Sequence, residues 1–386
     1  IDRWVSLSGG FATCEDANAN ILSSNKSILS GENMGAVVNV KFYDSVIAPV
    51  VRLKNMIIRN GSNSGIKIDN GSHPSHVIVE DSIVTANTSP SQGGGIKVSE
   101  TSADANNTPE LRIIDSQIVG NSAQNGGGIF CNNARVHMLG NSKVEGNHAE
   151  FPHNFRGHGG GVYATNECEI KIKPDYYLNS SDYIQTTIND NSATGHGGGI
   201  YVNMLSRVIF DSAIEGKTDQ NHILLSHNSA NANDNNFGDG GGVYVTGNNS
   251  IVSMDGVNYE YNSAVNGGGI AVVDSALAYT VPTHCAQTES CNIFSNNKNL
   301  DQILLSINGL DELYIIDHST TSNEAASHKG GLRGKGGNIL YRWGNPQSYK
   351  QGTLADRKLF KQHAPHWIPS SYPDGGKIML YNNGNG

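Results

Sequence analysis

The sequence is short of charge. Asp, Glu, Lys and Arg make up 16% of the 386 residues, against about 25% in ordinary soluble domains. A helical globular chain would need more Leu, Glu, Lys and Ala, so a helical bundle is excluded on composition. No apolar run approaches the roughly 18 residues of a membrane-spanning helix. No basic stripe offsets the formal net charge of -9, so nucleic acid has no electrostatic footprint to bind. No G-x-S-x-G nucleophile motif occurs, and no glycine-rich turn precedes a helix as a phosphate loop must. The chain opens at Ile1 without an initiator Met, which reads as a processed or trimmed chain whose export signal, if any, is gone.

Cysteines are few: Cys14, Cys131, Cys168, Cys285 and Cys291. None has the spacing of a zinc site. Cys285 and Cys291 close a short loop and are a candidate disulfide. Cys131 and Cys168 lie about one repeat apart and are a second. Cys14 is then left over, for an intermolecular link or a free thiol. The alternative is that several are buried thiols acting as small apolar side chains.

What the chain does have is glycine, 46 of them, with many Asn and Ser, a composition suited to short strands and frequent turns. These residues repeat. An Asn-Ser-Ala-like element, a variable loop and Gly-Gly-Gly-Ile/Val begin at Asn87, Asn121, Asn147, Asn191, Asn228 and Asn262, with weaker copies at Asn60 and Asn323. The last glycines of the six triplets (Gly95, Gly128, Gly161, Gly199, Gly242 and Gly269) are 33, 33, 38, 43 and 27 residues apart. A fixed motif at variable spacing means one structural unit with insertions in its loops. Each period holds about three runs of alternating apolar residues and no helix-length segment. The reading is an all-β, right-handed parallel β-helix of about 8–10 coils stacked at strand spacing, about 4.8 Å. A cap is expected over residues 1–35, the repeats over 36–343, and an irregular cap or arm over 344–386.

A second series precedes strands: Asp81, Asp115, Asn141, Asp211, Asp255 and Asp317, with Asn55 equivalent. Both series read as ladders of turn residues, and the glycines as corners where backbone crowds or φ is positive.

The paired Asn-Ser-Ala and Gly-Gly-Gly-Ile/Val elements resemble the repeats of polymorphic outer-membrane proteins and related bacterial β-helix passenger proteins. The opening SLSGGFATCEDANAN with ILSGE is similar to the amino-terminal region of such exported repeat proteins. The resemblance covers about residues 5–343. It implies the fold strongly, and adhesion or surface display as function. The outer-membrane barrel of that family has no counterpart here, since the tail lacks its ladder of amphipathic strands.

Two columns carry the candidate chemistry. One position after the triplet-Ile/Val reads Lys97, Phe130, Tyr163, Tyr201, Tyr244 and Ala271. Four successive aromatics form an external ladder, either a binding strip for a glycan or a protein or a stack that only stabilises the sheet. Just before each triplet stand Gln92, Asn125, His158, His196, Asp239 and Asn266. His158, His196 and Asp239, with His148 and His153 nearby, are candidate ligands of a divalent metal; the alternative is a solvated polar ladder. No other cofactor is implied, and no acid pair stands apart from the turn ladder as a glycosidase would need.

The expected function is therefore a non-enzymatic, extracellular or cell-surface rod or adhesin. Its partners would be glycans, a cell surface or further copies of itself in fibres. The alternative is a polysaccharide lyase, hydrolase or epimerase on the same fold.

Overall fold

The computed structural model describes residues 5–19, 25–41, 50–69, 75–100, 108–150, 156–174, 185–212, 223–230, 238–280, 293–295, 302–317, 326–330, 334–368, 374 and 377–384. The chain divides into two compact units, Ile1–Asn297 and Lys298–Gly386.

The first unit is a right-handed parallel β-helix. One coil shows the plan. Arg135–Leu139 lies in a first sheet, Lys143–Glu145 in a second, the short His148–Ala149 in a third and Val162–Thr165 in a fourth. Among the described residues these sheets hold nine, nine, five and eight strands, all parallel, and successive coils supply neighbouring strands. Alternation decides which side chains enter the core. In Arg135–Leu139, Val136 and Met138 point inward and are fully buried. Register places Val136 between Leu111 and Ile170, and Met138 between Ile113 and Ile172. Stacked aliphatic columns of this kind form one continuous core along the rod.

Polar columns run inside as well. Asn87, Asn121, Asn147, Asn191, Asn228 and Asn262 are at most 1% exposed. Each of the first five donates its backbone N–H and its Nδ2 to Oδ1 of the next, the Nδ2 distances being 2.9–3.0 Å. Nδ2 also reaches a carbonyl of the preceding coil, as in Asn191 to Val144 at 2.9 Å. The rungs are 26 to 44 residues apart in sequence, yet the bond length hardly changes. The weak copy is shifted by one residue: the backbone of Gly61, not Asn60, donates to Asn87 Oδ1.

In the Asp/Asn series Asp81, Asp115 and Asn141 are not buried, whereas Asn55 and Asp255 are. Asn55, Asp81 and Asp115 have left-handed backbones (φ 56, 47 and 47°), and Asp115 Oδ1 accepts the Asn141 N–H at 2.8 Å. The serines that follow are the buried partners: Ser116 Oγ accepts the Ser82 N–H at 3.0 Å. Asp317 does not belong to this ladder, because it ends an antiparallel strand of the second unit. Asn323 lies outside the described residues.

The glycine triplet does two jobs. Gly126 adopts φ +64°, and a Cβ on Gly127 would sit 2.3 Å from the His148 carbonyl oxygen of the next coil. Only glycine lets the two coils close at that corner.

At the amino end, Val5–Ser8 and Ser27–Ser30 are the first strands of two of the parallel sheets, and between them Cys14–Asn18 forms a short helix capped by Thr13. The second unit differs in kind. Gln302–Ile307, Glu312–Asp317 and Ile339–Trp343 form an antiparallel sheet, and His363–Trp367 pairs with Ile378–Tyr381. Residues 302–343, read from sequence as part of the repeats, thus hold antiparallel strands. Their alternating apolar pattern looks the same in either direction of pairing. Buried Glu312 is held there by Arg342, through Nε at 2.8 Å and Nη2 at 2.9 Å.

Candidate functional site

The eight-stranded sheet carries the aromatic column on its outer face. Register aligns Lys67, Lys97, Phe130, Tyr163, Tyr201, Tyr244 and Ala271 on successive coils. The four rings stack at centroid separations of 5.4, 4.7 and 5.3 Å, with planes 15–20° apart. Lys97 Nζ closes one end, 5.9 Å over the Phe130 ring. Burial and the neighbouring Lys67 ammonium lower the Lys97 pKa.

Stacking decides what this column can do. Each ring lies face-on to its neighbours, so ring edges and phenol groups are what remain toward the outside. Phe130, Tyr201 and Tyr244 are only 4, 9 and 8% exposed. A sugar ring has no free aromatic face to lie on within the stack. The phenols are held neutral: burial raises the pKa of Tyr163 and Tyr201, and that of Tyr244 to about 12. Tyr163 Oη accepts from Asn203 Nδ2 at 3.4 Å.

The second column runs beside the first. The His158 and His196 rings stack on each other at 5.2 Å, almost parallel. His158 also lies 4.9 Å from the Tyr201 ring and His196 4.4 Å from Tyr244. Their nitrogens are engaged along the rod. Asn125 Oδ1 accepts the His158 N–H at 3.0 Å, His158 Nδ1 accepts the His196 N–H at 2.9 Å, and His196 Nδ1 accepts the Asp239 N–H at 3.0 Å. Asn266 Nδ2 then donates to Asp239 Oδ1 at 2.7 Å.

This geometry speaks against the metal reading of His158, His196 and Asp239. Both Nδ1 lone pairs already take a backbone N–H, and rungs 5.2 Å apart are wide for ligands that must sit about 2.1 Å from one ion. Among the described residues no group of three or more His, Cys, Asp or Glu could hold a metal ion. His148 is engaged elsewhere, with Ser192 Oγ at 2.6 Å and Glu150 at 3.1 Å. His153 is outside the described residues.

Cys131 and Cys168 form a disulfide between adjacent coils, with Cα atoms 5.9 Å apart and both residues fully buried. Cys285 and Cys291 lie outside the described residues. Cys14 opens the short amino-terminal helix.

One cluster escaped the sequence reading. On the outer face of the first sheet, Glu110 receives Arg112 Nε at 2.5 Å, with His76 Nδ1 at 3.4 Å and His137 Nδ1 at 3.8 Å. Hydrogen bonding from His76, then Arg112, lowers the Glu110 pKa to about 2. His76, Glu110 and Arg112 line a depression with Val50, Val77 and Ile78. The only sequence signal was Glu110 and Arg112 two apart on one strand face.

No protein family, curated protein or solved structure matches this chain in sequence or fold comparison.

Proposed function

We propose that this chain is an exported, non-enzymatic β-helix rod with a structural and adhesive role at a cell surface, of the kind its repeats resemble in polymorphic outer-membrane and autotransporter passenger proteins. One observation carries the reading. The repeated residues bind the next coil: Asn to Asn, ring to ring, His Nδ1 to backbone. The result is a continuous scaffold whose coils are held in register. The buried Cys131–Cys168 bond supports export, because such bonds persist in oxidising compartments.

In this reading the partner strip is the row of phenol edges of Tyr163, Tyr201 and Tyr244, flanked by Lys97 and Asn203. A glycan or protein partner would meet hydroxyls at coil spacing rather than open ring faces. The test compares two triple variants against immobilised neutral and acidic oligosaccharides and intact cells. Tyr→Phe at the three positions keeps the stack and removes the hydroxyls, so binding is expected to fall while the melting curve stays in place. Tyr→Ser at all three should lower both. Binding that survives both variants removes this strip as the partner surface.

A further inference from the structure

We infer that the corner built by Asn125, His158, His196 and Asp239 is an acid-released latch, closed by neutral imidazoles and opened when they take up protons. The geometry carries this. In both histidines Nδ1 is an acceptor facing a backbone N–H of the next coil. An acceptor Nδ1 carries no proton, so each ring is neutral with its hydrogen on Nε2. Protonation converts Nδ1 into a donor pointing at another donor. It also puts two cations on parallel rings 5.2 Å apart.

The column contains its own control. Asn125 does the same work one coil earlier through Oδ1, accepting the His158 N–H at 3.0 Å. An amide oxygen does that at any pH. The two imidazoles are thus the acid-sensitive members of a ladder that asparagine can also build.

The surroundings make the two histidines unequal. His158 faces His196, the Tyr201 ring and the Arg156 guanidinium, and its pKa falls to about 4, through burial first and then the charges of His196 and Arg156. His196 faces His158, Tyr244, Arg156 and the Asp239 carboxylate. Burial lowers its pKa and Asp239 opposes the shift. Asp239 Oδ2 lies 3.4 Å from His196 Nδ1. On protonation His196 exchanges its backbone acceptor role for an ion pair with that carboxylate and releases the Asp239 N–H. Protonation of His158 likewise releases the His196 N–H. Because the two rings cover Tyr201 and Tyr244, opening the latch also uncovers the aromatic column beside it.

Hydrogen exchange on the whole chain tests this at pH 7 and at pH 3.5, below the value of about 4 at which His158 takes up its proton, after correction for intrinsic rates. In the natural protein, protection of the His196 and Asp239 amides is expected to fall about tenfold at the lower pH, the size of one lost hydrogen bond. The buried amides of Asn147 and Asn191 should hold their protection, which serves as the fold control. The double variant His158→Asn, His196→Asn keeps both acceptors and cannot titrate, so its two amides should be equally protected at both pH values. An equal loss in the double variant overturns the latch, as does unchanged protection in the natural protein. A direct readout stands apart from the variant. Nitrogen NMR of the natural protein should show the Nε2–H tautomer for both rings at pH 7, and an Nδ1–H tautomer overturns the proposal.

Discussion

A buried asparagine in the inner ladder has four side-chain bonds at stake. Replacing Asn191 by Ala strands the N–H and Nδ2 of Asn147 and the carbonyl of Val144, none of which water can reach in the folded rod. Orphaned buried groups cost about 1–3 kcal/mol each, and partial relaxation brings the expected loss to about 3–5 kcal/mol, measurable by denaturant unfolding. Asp115→Ala, in the Asp/Asn series, should cost far less, about 1 kcal/mol, because its partner N–H is exposed to water. Acid acts at two separate residues. His158 must stay neutral in the fold, so its contribution is complete above the ordinary histidine value of 6.5 and declines as pH falls toward 4, by on the order of 3 kcal/mol. Glu110 must stay ionised, so its contribution is complete above about 4.5 and is lost as pH falls toward 2. Stability measured against pH should therefore fall in two stages rather than one.

The elements show what the sequence could and could not reveal. Columns were legible wherever one residue type recurs at one place in the motif: the asparagines, the glycine triplets, the ring series from Phe130 to Tyr244. Facing was not, because a turn residue can aim in or out; Asn121 is buried while Asp115 is not, only six residues away. The acceptor role of His158 and His196 was hidden for a related reason. Their equivalents are Asn125 and Asp239, and side chains so unlike share only the ability to accept a hydrogen bond. Glu110 and its neighbours gave no repeat at all, since outer positions of the first sheet change from coil to coil. Antiparallel pairing after residue 302 was illegible because alternation has no direction. The covalent link between coils is testable at this scale. It closes a loop of 37 residues in sequence separation, and chain entropy then assigns it about 4 kcal/mol. Cys131→Ala with Cys168→Ala should lower the unfolding free energy by about that much. An equal midpoint in both proteins would show that the stacked coils hold the fold by themselves.

For the whole molecule, each coil of the first unit touches only the coils above and below it. Stability in such arrays is a sum of unit and nearest-neighbour terms. Unfolding of the rod should therefore be broader than a two-state transition, with coils near the Cys131–Cys168 bond the last to exchange. Coincident calorimetric and van't Hoff enthalpies would contradict this. The unequal rung separations lead further. Between Asn121 and Asn147 the chain takes 26 residues, and between Asn147 and Asn191 it takes 44, for the same 3.0 Å bond. The length of a rung bond is therefore independent of how much chain separates its two asparagines. Such a lattice can change what it shows to the outside world by lengthening a loop, leaving every rung where it was.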